Sequence, residues 1–138
     1  MHIIEMDDIC KDYFIGSPNE LHVLKHMPLN VQEGEFLAIV GQSGSGKSTL
    51  MNIIGALDRP TSGSYTLDGE RMDNLDDKEL SHVRNQKIGF VFQVFNLLGR
   101  STALANVELP LFYDGISPSE RRERAMDLLE LVWACAKN

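Results

Sequence analysis

The sequence contains very little cysteine and no long apolar run. Only two of its 138 residues are cysteine, Cys10 and Cys135, and they lie too far apart to form a Cys-x-x-Cys pair. The sequence therefore indicates neither a disulfide-stabilised fold nor a cysteine-ligated metal site, and it fits a reducing compartment. The longest uncharged apolar stretches, such as Phe36–Val40, are much shorter than the roughly 20 residues of a membrane-spanning helix. Acidic residues near the start argue against a secretory signal.

Positive charge is also scarce. The chain has 13 lysine and arginine residues against 20 aspartate and glutamate residues, so its formal net charge is −7. Nucleic-acid backbones select basic surfaces, and we therefore expect no nucleic-acid partner. The hydrophobic share of 43% and the charged share of 24% are ordinary for a globular domain. These features predict a cytoplasmic protein that reaches a membrane only through a partner.

Strand and helix patterns alternate along the chain, which predicts an α/β fold with a largely parallel sheet. Residues 2–14 have a strand pattern with polar interruptions. Two further stretches, Phe36–Val40 and Ile88–Phe92, are continuously apolar, as expected for strands that are buried on both faces. A helix is predicted from Gly46, with Leu50, Ile53, Ile54 and Leu57 on its buried stripe. Further helical patterns cover residues 76–86, where Leu80 and Val83 are apolar, and residues 117–132.

The stretch GQSGSGKST, residues 41–49, matches the pattern G-x-x-x-x-G-K-[ST] at every fixed position. Glycines allow the backbone to fold into a nest of N–H groups that point at phosphate oxygens. Lys47 would contact the β- and γ-phosphates, and the Ser48 hydroxyl would ligate Mg²⁺. The alternative is a Gly/Ser linker, but linkers are not flanked by a buried strand and an amphipathic helix. The predicted phosphate site consists of Gly41, Gln42, Ser43, Gly44, Ser45, Gly46, Lys47, Ser48 and Thr49.

Three separated motifs closely resemble the ATP-binding subunits of ABC transporters, particularly the lipoprotein-release and macrolide-export type. They are EGEFLAIVGQSGSGKSTLMNIIGALDRPTSG, KIGFVFQVFNLL and TALANVELPL, in the family's order and spacing. The resemblance implies a P-loop nucleotide-binding fold with N-terminal antiparallel strands and a partly parallel core sheet, incomplete relative to the family. It also implies that residues 1–93 are part of the nucleotide-binding core. Residues 94–138 would then contain the Q-loop and the start of a helical subdomain.

The same resemblance assigns roles to two residues outside the phosphate loop. Tyr13 matches the aromatic residue that stacks on adenine, although by itself it would be an ordinary strand tyrosine. Gln93 matches the Q-loop glutamine, which reaches Mg²⁺ and the attacking water and contacts the transmembrane partner. The implied ligands are ATP and Mg²⁺, with Ser48 and Gln93 at the metal. The implied partners are a transmembrane permease at the cytoplasmic face of the membrane and a second ATP-binding subunit.

The sequence also departs from the family. Pro28 occupies a position where a strand residue is usual, and Gly99-Arg100 replaces a turn that typically contains proline. The Leu-Ser-Gly-Gly-Gln signature, the apolar strand ending in Asp-Glu and the switch histidine are not found in the 138 residues. We therefore interpret the chain as roughly the N-terminal half of such a subunit. Phe36–Val40 and Ile88–Phe92 would then each lack a strand partner, which predicts self-association.

Three hypotheses follow for function. The chain is part of a transporter ATPase that couples ATP hydrolysis to transport, or it is a truncated nucleotide-binding or partner-binding fragment with no transport role, or it does not fold stably alone. In the first two cases we expect it to bind ATP without hydrolysing it, since the acid and the signature are missing; whether it is an enzyme stays undecided. A kinase or small GTPase is disfavoured because the guanine-reading Asn-Lys-x-Asp is not present.

Overall fold

The computed structural model describes residues 2–135, and the side chains of residues 134 and 135, including that of Cys135, lie outside the description. In chain order the elements are β1 His2–Tyr13, β2 Leu21–Gln32, α1 Lys47–Ile54, β3 Ser62–Leu67, β4 Glu70–Arg71, α2 Asp77–Lys87, α3 Ala103–Tyr113 and α4 Pro118–Cys135. A single 3₁₀ turn, Met72–Asn74, joins β4 to α2. The chain divides into two compact units, Met1–Gly89 and Phe90–Asn138.

The four strands form one sheet in the order β2-β1-β3-β4, and every pairing is antiparallel. β1 lies inside the sheet, with β2 on one side and β3 on the other. The predictions of an α/β class and of N-terminal antiparallel strands are confirmed. β2 is an edge strand, which explains how it accommodates Pro28, because a proline has no N–H to donate to a neighbouring strand.

A β-bulge interrupts β1 near its middle. The register shifts between Met6 and Ile9 against β2, and Asp8 adopts a positive φ of 54°. Gly63 of β3 crosses this point with a φ of +95°, and a Cβ atom there would lie 2.4 Å from the Asp8 carbonyl oxygen. Only glycine permits so close a backbone approach. Past the bulge, β1 continues to Tyr13 paired with β2, whereas its pairing with β3 ends at Cys10.

The hydrophobic core lies between the sheet and the helices of the first unit. In α1, Leu50 and Ile53 are buried as predicted, but Leu57 is 51% exposed because the helix ends at Ile54. In α2, Leu80 and Val83 are buried, which confirms the predicted apolar side of that helix. The buried cluster consists of Met6, Ile9, Leu24, Leu50, Ile53, Ala56, Tyr65, Leu67, Met72, Leu80 and Val83.

The two continuously apolar stretches are not strands, contrary to the prediction. Neither Phe36–Val40 nor Ile88–Phe92 has strand structure, and no parallel pair forms among residues 2–135. Phe36 is 94% exposed and Val91 is fully exposed. A strand requires a neighbour for its backbone N–H and C=O groups, and no described strand pairs with either stretch. The parallel part of the predicted core sheet is therefore wrong for the described residues.

The second unit contains two helices that pack against each other, α3 and α4. The Thr102 hydroxyl caps α3 by accepting a hydrogen bond of 3.1 Å from the Ala105 N–H. Arg121 of α4 places its guanidinium 5.1 Å from the ring centre of Phe112 and donates to the Ile116 carbonyl. Ala125 is the buried hydrophobic residue of this unit within the described part of the chain.

Candidate functional site

The loop Gly41–Thr49 joins the exposed segment after β2 to the start of α1. Gly44 and Gly46 have φ values of 80° and 87°, a left-handed conformation that glycine adopts without strain. The Ser45 N–H donates to the Gln42 carbonyl at 3.3 Å, which closes a tight turn. A Cβ on Gly46 would lie 3.0 Å from the Leu24 side chain, so the loop is seated directly on β2. The two glycines therefore allow the loop to turn sharply between β2 and α1.

Lys47 is surrounded by the loop that precedes it. Its Nζ atom donates to the Gly41 carbonyl at 2.9 Å, to the Gln42 carbonyl at 2.6 Å and to the Ser45 hydroxyl at 3.3 Å. An ammonium group has three N–H donors, and the loop provides three oxygen acceptors for them. A Cβ on Gly41 would lie 2.7 Å from the Ser45 hydroxyl oxygen, so a side chain at position 41 would obstruct this arrangement. The cation is thus held within the turn of the loop.

The N-terminus of α1 is open to a negatively charged group. Its N-cap residue, Gly46, provides no capping side chain, and the first turn contains no acidic residue. The first N–H groups of a helix lack intrahelical partners, and the helix dipole favours an anion there. An open cleft of about 360 Å³ lies at this point, lined by Val23, Ser43, Gly44, Gly46, Lys47, Ser48 and Thr49. The exposed Ser48 and the Lys47 cation in one cleft suit a phosphate with a bound divalent cation.

Tyr13 ends β1 and is half-buried. It pairs with Leu21 across the sheet, two residues along β2 from Val23, which lines the cleft at the N-terminus of α1. Its hydroxyl donates to Asp58 Oδ2 at 3.0 Å. The ammonium of Lys11 lies 5.0 Å from the centre of the Tyr13 ring. The predicted adenine residue and the predicted phosphate loop therefore belong to the same unit. Tyr13 ends β1, and Gly46 of the loop lies against Val23 and Leu24 of the adjacent strand β2.

Asp58 is the charged centre of the Tyr13 environment. Its Oδ1 atom accepts from Lys11 Nζ at 2.6 Å and from the Arg59 N–H at 2.8 Å. Burial acts to raise the pKa of Asp58, but the hydrogen bonds from Lys11, Arg59 and Tyr13 outweigh it and lower the pKa below its usual value. The carboxylate therefore stays ionised and remains an acceptor for the tyrosine hydroxyl at neutral pH.

Gln93 lies in the second unit, in the segment that precedes α3. It is exposed, and no helix or strand includes it. Just before it, the rings of Phe90 and Phe92 stack with their centres 5.3 Å apart. The predicted site residues are thus divided between the units. The first contains the phosphate loop and Tyr13, and the second contains Gln93.

Sequence reasoning missed the partners of Tyr13. Lys11 and Tyr13 are two residues apart and so share one face of β1, a signal that was present in the sequence. Asp58 lies 45 residues from Tyr13, and no local motif announces their contact. The two histidines of β2 also have carboxylate partners: His22 Nδ1 is 2.6 Å from Asp12 and His26 Nδ1 is 2.7 Å from Asp8.

Neither a cluster of metal ligands nor a membrane-spanning helix occurs among the described residues. No group of three or more His, Cys, Asp or Glu side chains within residues 2–135 is arranged to hold a metal ion. In the same range, no helix combines the length and the apolar character needed to cross a bilayer.

Comparison with known proteins gives one consistent family. The family model described as "ABC transporter" matches residues 24–136. The chain is similar to the uncharacterized ABC transporter ATP-binding protein YvrO of Bacillus subtilis, with 57% identity over 132 residues, covering 94% of this chain and 56% of that protein. It is also 53% identical to the macrolide export ATP-binding/permease protein MacB of Mannheimia succiniciproducens, over 94% of this chain and 20% of that protein.

A solved structure supports the same fold. The chain superposes on the ATP-binding cassette MJ0796, described as a dimer in a post-hydrolysis state bound to ADP and Pi, with a TM-score of 0.81 and 48% identity. MJ0796 is from Methanocaldococcus jannaschii. The match covers 92% of this chain and 56% of that structure. This chain therefore spans about half the length of MJ0796 and of YvrO.

Proposed function

This chain belongs to the ABC transporter family, and from that premise we propose that it binds Mg-ATP as part of the ATP-binding subunit of a transporter. The predicted resemblance to that family, including its macrolide-export members, is confirmed. The family favours a transport role over the alternative of a fragment without one. In the whole protein, ATP hydrolysis would drive transport or extraction of a substrate from the membrane.

The observation that carries the proposal is the folded phosphate loop at the N-terminus of α1. Lys47 is held by three loop oxygens at 2.6–3.3 Å, next to the cleft at the open helix end. Phosphate oxygens can replace the loop oxygens as acceptors of the Lys47 N–H groups. A charge-assisted hydrogen bond to phosphate is stronger than one to a neutral carbonyl. The whole loop Gly41–Thr49 would contact the nucleotide phosphates through its N–H groups.

Mg²⁺ fits the chemistry of this cleft. It prefers oxygen ligands and is usually bound by few protein groups together with substrate phosphates. The exposed Ser48 hydroxyl would be one ligand in this cleft. The contact of Gln93 with the ion is proposed from the family resemblance alone. When bound, the ion would neutralise charge on the β- and γ-phosphates. Tyr13 would stack on the adenine ring.

We expect this chain to bind ATP without turning it over. Charge neutralisation is available through Lys47, Ser48 and the α1 N-terminus, whereas no apolar strand ending in Asp-Glu occurs in the sequence. A steady-state assay of phosphate release tests this point. Turnover near the usual enzymatic range of roughly 1 s⁻¹ or faster, silent in a Lys47→Ala control, would contradict it.

The domain assignment and the partners belong to the same proposal. Residues 1–93 would be part of the nucleotide-binding core, and residues 94–138 would contain the Q-loop and the first part of a helical subdomain. A transmembrane permease and a second ATP-binding subunit would be the partners of the whole protein, at the cytoplasmic face of the membrane. No nucleic acid is expected as a partner, given the net charge of −7.

Calorimetry of Mg-ATP binding tests the proposal directly. Lys47→Ala should remove most of the affinity, because it deletes the compact charge next to the phosphates. Lys78→Ala is a matched control, since Lys78 is an exposed lysine of α2 and does not line the phosphate cleft. Equal affinities of the native chain and the Lys47→Ala variant would mean that the loop is not the binding site.

A further inference from the structure

We propose that Asp58 is a positioning residue that fixes the Tyr13 ring relative to the phosphate loop. The proposal rests on the adenine contact assigned above to Tyr13. It adds Asp58 to that site. Asp58 links β1, which contains Tyr13, to α1, which contains Lys47 and Ser48. Lys11 takes part as the second group held by the same carboxylate.

The first step is the contact with Tyr13. Both oxygens of Asp58 are engaged, Oδ2 by the Tyr13 hydroxyl at 3.0 Å and Oδ1 by Lys11 Nζ at 2.6 Å. Lys11 Nζ also donates to the Arg59 carbonyl at 2.7 Å and lies over the Tyr13 ring. The ring is therefore held at its hydroxyl and on one face. A planar base would stack on the opposite face, since a base needs only one.

The second step is the connection from Asp58 to α1. The Asp58 N–H donates to the Asn52 carbonyl at 3.2 Å, and the preceding Leu57 N–H donates to the same oxygen at 2.8 Å. Asp58 is thus attached by its backbone to the last turn of the helix whose first turn contains Lys47 and Ser48. The eight residues of α1 span about 12 Å. This helix links the phosphate end of the site to Asp58.

The third step is a second attachment of the same loop to β1. The Asp12 N–H donates to the Thr61 hydroxyl at 2.9 Å, and the Thr61 N–H donates to the Cys10 carbonyl at 2.8 Å. Segments 58–61 and 10–13 are therefore joined by backbone as well as side-chain bonds. Within these joined segments, Asp58 is the residue that contacts the Tyr13 side chain.

The consequence is pre-organisation of the base site. A tyrosine at a strand end would otherwise have to be ordered when ATP binds, which weakens binding. Asp58 orders the ring before binding and fixes its distance from Lys47. Loss of the carboxylate should therefore weaken the binding of ATP, which contains a base, and leave the binding of inorganic tripolyphosphate, which has none, unchanged.

The test compares these two ligands by calorimetry on the full chain with Mg²⁺. Asp58→Ala should weaken ATP binding about threefold to tenfold while tripolyphosphate affinity stays constant. Asp58→Asn keeps the shape of the side chain but not its charge, and it should show the same selective loss to a smaller extent. It replaces Asp58→Ala in the test if that variant does not fold. Asp73→Ala is the matched control, because Asp73 is likewise a shielded carboxylate in an ion pair, here with Arg71, and no hydrogen bond to Tyr13 is found for it among the described residues.

Further variants separate the two proposals. Tyr13→Ala should reduce ATP affinity but not tripolyphosphate affinity, and adding Asp58→Ala to it should cause no further loss. If Tyr13→Ala leaves both affinities unchanged, the adenine contact fails, and the role of Asp58 fails with it. If Tyr13→Ala acts selectively but Asp58→Ala weakens both ligands equally, or neither, the adenine contact stands and the positioning role of Asp58 is overturned.

Discussion

β1 and the segment Phe36–Val40 differ in a way that their composition alone would not suggest. β1 contains four acidic residues and a lysine within 12 residues, yet it is paired on both sides. Phe36–Val40 has no charged residue, yet it has no strand structure. The comparison teaches that a pairing partner, more than apolar character, decides which extended segment becomes a strand in this chain.

The bulge in β1 shows how a polar strand still contributes to the core. Met6 and Ile9 are three residues apart, so a regular strand would direct their side chains to opposite faces. The extra residue at the bulge, where Asp8 has a φ of 54°, restores Ile9 to the core face, and both residues are at most 2% exposed. In β1, the bulge therefore keeps the strand paired and its apolar side chains on the core face. Phe36–Val40 has apolar side chains but no neighbouring strand to pair with.

The largest effect that we expect is association between copies of the chain. Phe36–Val40 and Ile88–Phe92 offer unpaired backbone to another copy, together with the exposed side chains of Phe36, Leu37, Val40, Val91 and Phe92. Ile39 and Ile88 in the same stretches are half-buried against the core. Light scattering should give a mass above 15.5 kDa that rises with concentration. Association at a dissociation constant of 1 μM would correspond to about 8 kcal/mol.

Charged substitutions test whether these stretches cause the association. The double variant Phe36→Lys with Val91→Lys should lower the mass toward that of the monomer. Leu128→Lys with Leu131→Lys is the matched control, because both leucines are exposed on α4. A native chain that remains monomeric at all concentrations and unfolds in one cooperative transition would show that the stretches need no partner.

The next largest effect is a difference in unfolding free energy between a residue of a paired strand, Ile9, and a residue of an unpaired stretch, Val91. Ile9→Ala should lower the free energy of unfolding by about 2 to 5 kcal/mol, because Ile9 is fully buried. Val91→Ala should change it by less than about 0.5 kcal/mol, since Val91 is fully exposed. Urea unfolding of both variants is the measurement. A large loss for Val91→Ala would mean that the stretch is covered in solution, and the comparison would then fail.

The sequence predicted the parts of this structure that depend on local contacts. The start of α1 after a glycine-rich loop and the apolar side of α2 follow from motifs and spacing within a few residues. A local signal that we overlooked is Asp76-x-x-Glu79, a capping box at the start of α2. The absence of strand pairing at Ile88–Phe92 and the contact between Asp58 and Tyr13 could not be read locally, because both depend on residues far apart in the sequence.

The α2 cap gives a smaller and purely local effect. The Asp76 carboxylate accepts from the N–H groups of Lys78 and Glu79, each at 2.8 Å. Asp76→Ala should therefore lower the free energy of unfolding by about 1 kcal/mol. Asp77→Ala is the control, because the Asp77 carboxylate is also in the first turn of α2 but is 98% exposed, forms a surface pair with Arg59 and does not cap the helix. Equal losses for the two variants in thermal unfolding would show that the cap is not the source of stability.

The smallest expected effect on stability is that of a local ion pair in α4, in the second unit. In α4, Arg124 donates to Glu120 at 2.6 Å, four residues apart and both about half exposed. Such a pair contributes about 0.3 to 0.5 kcal/mol, and salt should reduce it. Glu120 also lies in the first turn, where a negative charge favours the helix dipole, so Glu120→Gln alone would overstate the pair. A double-mutant cycle with Arg124→Gln removes the dipole contribution and isolates the coupling energy between the two side chains. Thermal unfolding at low salt and at 0.5 M salt (roughly a 4 Å screening length) measures this coupling energy. A coupling that does not decrease with salt would mean that the two side chains interact by packing and not as an ion pair.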